Sequence, residues 1–387
     1  MKRLLSIVAV SFASLALAGC SSDSGNASDA EPGIVERFIP QGFTQKVEKG
    51  SIWKSEDGGR SFFVQSTVNE QSRIEKADIL DFEFHPTRPE AVIATSIDHG
   101  IFKTENGGDT WVPIEFPPKR IYSFILDRRD PDRRMFASGV IENRGRIFRS
   151  DDEGANWIPI YTEPGTGTVV SSLAQDPGNP DILYAGTSAG TLIKSIDAGG
   201  TWRNIGDSVD GIISKILFDA GDPNTVYLLL FGKEMRLSRD GGETWIDWDE
   251  ERRKEFDSLD GDAALTFREH ERENEPPQGM VALLADPSRS GTLYAAGKTG
   301  LYRSTDSGKF WDRLDIIESA EKFTIRSIAV DPKRPETIIF VAGQALYRSE
   351  NGGATWSIFP LSTDRPPALI EFDPFDSSFL FLGLRAS

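Results

Sequence analysis

Ser238-Arg239-Asp240-Gly241-Gly242-Glu243-Thr244-Trp245 is the cleanest copy of the pattern around which this chain is organised, Ser/Thr-x-Asp/Asn-x-Gly-x-x-aromatic. Six more copies share its frame: Ser55 to Phe62, Thr104 to Trp111, Ser150 to Trp157, Ser195 to Trp202, Ser304 to Trp311 and Ser349 to Trp356. The third position holds Asp57, Asn106, Asp152, Asp197, Asp240, Asp306 and Asn351. The fifth is always glycine: Gly59, Gly108, Gly154, Gly199, Gly242, Gly308 and Gly353. Such a stretch reads as a tight β-hairpin. The Asp or Asn oxygen accepts from backbone N–H groups two or three residues on, and the glycine supplies a positive φ. The closing Trp111, Trp157, Trp202, Trp245, Trp311 and Trp356 make up six of the chain's eight tryptophans. That shared slot argues for packing between sheets rather than ligand stacking.

Outward from each hairpin, a short strand leads in (Gly-Ile-Phe-Lys, Arg-Ile-Phe-Arg, Gly-Leu-Tyr-Arg) and another leads out. Before each of the last six hairpins lies a second unit. It has an apolar strand, a turn at Asp-Pro or a variant, and a further strand, as in Leu173 to Gly186 and Leu283 to Gly297. Its turn recurs at His85-Pro86, Asp127, Asp219, Asp331 and Asp373-Pro374. Proline there stops ladder pairing. The repeat glycines are 43–49 residues apart, with one gap of 66. A period near 45 built of short strands is that of a propeller blade. The first hairpin lacks a strand pair before it, and the last strand pair (Leu369 to Leu384) lacks a hairpin after it. Joining the two, with Phe379 to Leu382 beside Ser51 to Lys54, closes a ring and removes exposed sheet edges. The expected fold is therefore all-β, a seven-bladed β-propeller of four-stranded antiparallel blades. The ring is closed by N- and C-terminal strands.

The eight-residue pattern resembles the Asp-box, or BNR repeat, of sialidases, xyloglucanase-type glycoside hydrolases, sortilin-type receptors and photosystem II assembly-factor propellers. Seven copies cover almost all of the chain beyond its N-terminus. A sialidase-like site implies three arginines and a Tyr/Glu nucleophile pair, and Arg37-Phe38-Ile39-Pro40 scrambles the Arg-Ile-Pro start of those enzymes. Xyloglucanase-type enzymes set two carboxylates across a cleft between two propellers, and one propeller offers half of such a cleft. Hydrolysis needs two carboxyls about 5–9 Å apart. Asp78, Asp81, Asp210 and Glu371 are conceivable members, with no pair singled out. The single seven-bladed ring resembles the assembly-factor group.

Lys2-Arg3, the apolar run Leu4 to Leu17, and Leu17-Ala18-Gly19-Cys20 resemble a bacterial lipoprotein signal. The resemblance implies a signal peptide over 1–19 and lipidation of Cys20. Cys20 is the chain's one cysteine, so disulfides and thiolate chemistry are excluded. Ser21-Ser22 in the next positions implies an outer-membrane address, facing the periplasm or the cell surface. Residues 20–34 are small, polar and acidic and read as a tether. The propeller takes 35–387. A net charge of −17 disfavours nucleic acid and anionic headgroups. His85, His99 and His270 are scattered, and no metal or cofactor is expected.

Geometry then divides the surface. Hairpins and Asp-Pro turns share one face; the other loops surround the channel mouth, where propellers usually bind. Lys119, Arg120 and Tyr122, Arg326 and Arg365 stand at inner-strand starts and are the candidate binding residues, catalytic residues being unassigned. The extra length falls in Asp247 to Gly279, expected on that same face as a lid or partner contact, with Asp262 to Glu269 as a capped helix. The functional expectation is a monomeric, lipid-anchored binding or assembly module for an envelope protein or glycan. The alternative is a glycoside hydrolase or an inactive relative.

Overall fold

The computed structural model describes residues 49–274, 276–297, 299–316 and 324–386. Of the chain's two units, Met1–Gln45 lies outside those residues, and with it the expected signal, Cys20 and tether. The second, Lys46–Ser387, is a seven-bladed β-propeller.

Each blade grows outward from an inner strand. These are Ile79–Phe84, Ile121–Leu126, Val170–Gln175, Ile213–Phe218, Met280–Ala285, Ile325–Val330 and Pro367–Phe372, lining the ring in chain order. Six blades are four-stranded antiparallel sheets. The closing blade takes Pro367–Phe372 and Leu380–Leu384 from the C-terminus and Ile52–Ser55 and Phe63–Val64 from the other end. Trp53 pairs with Leu382 and Lys54 with Phe381, so each end of the chain gives the closing blade two strands. Arg365 locks the junction. Its guanidinium donates to Ser51 Oγ (2.6 Å) and Ala77 O (3.1 Å) and pairs with Asp78 (3.3 Å).

The blade of Ile213–Phe218 departs from the rule. It has three strands and only a bridge, Leu237–Ile246, where the fourth would run. The chain leaves there into the insertion, which is two helices, α1 (Trp248–Asp257) and α2 (Gly261–Glu273). Asp247 caps α1 by accepting from the N–H groups of Asp249 and Glu250. Only α2 was anticipated, although the cap and the acidic first turn of α1 were equally legible.

The core is divided into seven clusters lying between neighbouring blades. One is built from Ile93 and Ile101 of one blade and Ile121, Phe124 and Met135 of the next. All seven hairpin turns share one hydrogen-bond set. The Ser/Thr hydroxyl donates to the Asp/Asn oxygen at 2.7–3.0 Å. It accepts from the glycine N–H at 2.8–3.0 Å. The Asp/Asn oxygen accepts from an N–H four residues on at 2.8–3.1 Å, one turn position later than expected. The hydroxyl is thus the hub, which explains why only Ser or Thr opens the pattern. The glycine φ values run from +86° to +98°.

The tryptophans divide. Trp111 and Trp311 are fully buried. Trp157, Trp202, Trp245 and Trp356 are half-buried at the outer rim. There, Trp157 and Trp356 donate to backbone oxygens of the preceding blade, at Glu115 and Asp315. Trp111 does the same to Gln65 O at 2.7 Å.

Candidate functional site: the central channel

Every inner strand carries the same irregularity. The register with its neighbour slips after the first residue, between Ile79 and Asp81 in one blade and between Ile213 and Lys215 in another. Seven such slips make a ring of bulges, and bulges re-aim side chains. The third and fifth residues of each strand then stand on one face. Most are small or apolar, and several bridge blades. Ser123 Oγ accepts from Leu173 N, Ser172 Oγ donates to Ile213 O, and Ser327 Oγ accepts from Ile370 N.

Four of these positions are charged. Asp81 and Glu83 come from one inner strand and Glu371 from the adjoining one; Lys215 stands three blades from Asp81. Asp81, Glu83 and Lys215 line a cavity of about 560 Å³ with Tyr122, Ser171 and Ser214. The carboxyls are half-buried because the channel is open, yet protein surrounds them on every side. Burial pushes Glu371 well above the usual carboxylate range, the Asp81 charge adds to this, and Lys215 opposes it. Asp81 is raised by burial and relieved by Lys215 and by a hydrogen bond from Glu371. Burial, and then the Asp81 charge, push Glu83 up to about 8.

Asp81 and Glu371 stand on adjoining inner strands, and each raises or relieves the other's proton affinity. What the channel offers is a ring of donors and acceptors with two cations, Lys215 and Arg128, in the lining. Among the described residues no group of three or more His, Cys, Asp or Glu side chains is arranged to hold a metal.

The candidate binding residues are not gathered at one point. Tyr122 lines the channel cavity. Lys119 and Arg120 are exposed on the loop before it, where Pro118 packs so closely over Gly139 that a Cβ there would lie 2.5 Å from Pro118 Cβ. Arg326 is exposed at the bulge of its strand. Arg365 is occupied by the ring closure described above. Of the carboxylates considered from the sequence, Asp81 and Glu371 meet, Asp78 accepts from Arg365, and Asp210 pairs with Lys233 at 2.7 Å. Glu83 and Lys215 were missed. Their signal is a charged residue in the middle of an otherwise apolar inner strand, as in Ile79-Leu80-Asp81-Phe82-Glu83-Phe84. His85 stands in for the usual turn Asp, its Nδ1 accepting from Thr87 N and Arg88 N.

The insertion meets the expected face at Lys233 and Glu234 of a mouth loop, with which Arg272 and Gln278 line a cavity. None of its described residues lines the channel cavity. It also packs on the hairpin turn of the following blade. Asn274 O accepts from Trp311 N, Arg252 donates to Lys309 O at 2.9 Å, and Phe267 and His270 meet the Phe310 ring edge-on. The missing fourth strand sends it to the outer side of its blade.

The fold and channel define a single seven-bladed β-propeller with a polar, acid-lined bore. No family model matches the chain. It is 28% identical over 257 residues to an oligoxyloglucan-reducing end-specific xyloglucanase of Emericella nidulans, over 58% of this chain and 30% of that protein. The chain thus spans less than a third of that curated relative. Among solved structures, a GH74 enzyme of Niastella koreensis matches with a TM-score of 0.60 at 18% identity, covering 80% of this chain and 51% of that one. YCF48 bound to D1 peptide matches with a TM-score of 0.55 at 16% identity, covering 80% of this chain and 94% of that one.

Proposed function

We propose that this protein is a binding or assembly propeller of the cell envelope, anchored by lipid at Cys20. It receives a protein or glycan at the loop face around the channel mouth. The observation that carries this reading is the channel lining, where Asp81 and Glu83 stand with Lys215 and Arg128 in one cavity. Acids and cations in one bore present complementary groups to a polar ligand. The near-complete coverage of the single-propeller YCF48 structure supports this reading, since that propeller is seen with a peptide bound. Tyr122, Lys119, Arg120 and Arg326 are the side chains offered to the ligand, a phenol and three cations in a chain of net charge −17. They favour an acidic partner.

The sequence similarity to xyloglucanases favours a second reading, a glycoside hydrolase that would complete its cleft with a further domain. One experiment separates them. Purified protein is incubated with xyloglucan oligosaccharides while partners are captured from envelope extracts with wild type and with Arg120→Ala/Arg326→Ala. Partner capture that the double variant weakens, with no new reducing ends, supports the binding module. Cleavage with a bell-shaped pH profile establishes the hydrolase instead.

A further inference from the structure

A second cavity, of about 1060 Å³, shares no lining residue with the channel cavity and is bounded by α1, α2 and the loop around Lys233. Its charges do not cancel. Lys233 pairs with Asp210 (2.7 Å), Arg236 with Glu234 (2.7 Å), and the buried Arg252 with Asp249 and Glu271. Those pairings use every carboxylate of the described lining. Arg253, Arg268 and Arg272 line the same cavity and pair with no carboxylate among the described residues. A cationic remainder in a chain of net charge −17 is the less expected arrangement. Two further features point to an absent ligand. Arg236 Nε is buried against the cavity and has no acceptor. Arg268 lies over the Phe256 ring, its Cζ 4.3 Å from the centroid, with guanidinium N–H groups available for bidentate pairing.

The platform is built, too. At the position before the closing aromatic, the other hairpins have Ser61, Thr110, Asn156, Thr201, Thr244 and Thr355; here it is Phe310, clasped by Phe267 and His270. A tolerated surface excursion would not need its neighbour's turn rewritten to receive it.

We infer that this cavity, independently of the channel, binds a uronic-acid oligosaccharide. The carboxylate of the sugar goes to the Arg268 and Arg272 guanidinium groups. The paired acids Asp210, Glu234 and Glu271 decide the class of ligand. A ligand of acceptors alone, such as a polyphosphate, would be repelled by them, and an acidic peptide offers them only its backbone N–H groups. Sugar hydroxyls donate to carboxylate lone pairs while the uronate accepts from arginine. A cavity of this volume admits a few sugar rings.

The test is calorimetric titration of the full chain with trigalacturonate at low salt, beside cellotriose and a pentaglutamate peptide. Trigalacturonate should bind, and at least tenfold more tightly than either. Arg268→Ala/Arg272→Ala should weaken it at least tenfold, whereas Tyr122→Ala in the channel should leave it unchanged. If the Arg268 variant melts early, Arg253→Ala/Arg272→Ala, both on exposed helix positions, should still show the loss. Absence of trigalacturonate binding to wild type overturns the assignment. So does equal binding of pentaglutamate, which would make an acidic peptide the occupant, or unchanged affinity in the arginine variants. None of these outcomes bears on the channel, so this site and the proposed function stand or fall separately.

Discussion

At the scale of single residues, two kinds of carboxyl are made by opposite surroundings. Turn carboxylates such as Asp197 accept several short hydrogen bonds and are held down to about 2. Channel carboxyls lose water without gaining enough donors and rise, Glu83 to about 8. The signs for stability differ accordingly. A depressed Asp stabilises the fold above its unfolded pKa, and that contribution is lost only as pH falls through about 2. Glu83 binds its proton more tightly when folded. Its contribution is complete below about 4.5 and disappears as pH rises through about 8. Glu83→Gln should thus melt like wild type at pH 5 and be more stable at pH 9. After discounting for water in the channel, the gain is on the order of 1 kcal/mol. Thermal melts across pH 5–9 check this, and two parallel curves would refute it.

At the scale of elements, the hairpin turn decides what each position costs. Trp111 is fully buried and bonded to Gln65 O, so Trp111→Ala should cost about 3–5 kcal/mol in denaturant melts. Trp202 is half-exposed and its indole N–H has no partner, so Trp202→Ala should cost clearly less. Gly154→Ala should cost more than about 1 kcal/mol. It meets both a φ of +86° and an Ile114 Cγ2 atom 2.4 Å from the new Cβ. Equal losses for the two tryptophans would mean that blade packing does not set the cost. In the insertion, Asp247→Ala removes the cap of α1 and should cost about 1 kcal/mol by the same measurement.

At the scale of the molecule, the ring is a closed circuit with one weak joint. Leu380–Leu384 lies between Pro367–Phe372 and Ile52–Ser55, hydrogen-bonded to both. Truncation after Phe379 strands both neighbours as open edges. The product should elute as aggregate in size exclusion. A soluble monomer with a normal melting temperature would show that closure by the termini is dispensable.

The sequence by itself determined the ring, because each blade repeats its information locally. A hydroxyl, an Asp or Asn and a glycine at fixed spacing close the same turn seven times, and the count of half-units at the two ends specifies the closing blade. Charged residues in the middle of inner strands were also visible, but their meeting was not. Asp81 and Glu371 are separated by almost the whole chain and become neighbours only when the circle closes. Arg365 looked like a free cation at a loop start, and closure gave it Ser51, Ala77 and Asp78 as partners. The insertion was legible as extra, helical and charged. Its place was decided by a missing fourth strand and by Phe310, contacts that chain position does not encode. Turns are local hydrogen-bond problems that a few adjacent residues solve, whereas a channel and a cavity are formed by residues that only the finished ring brings together.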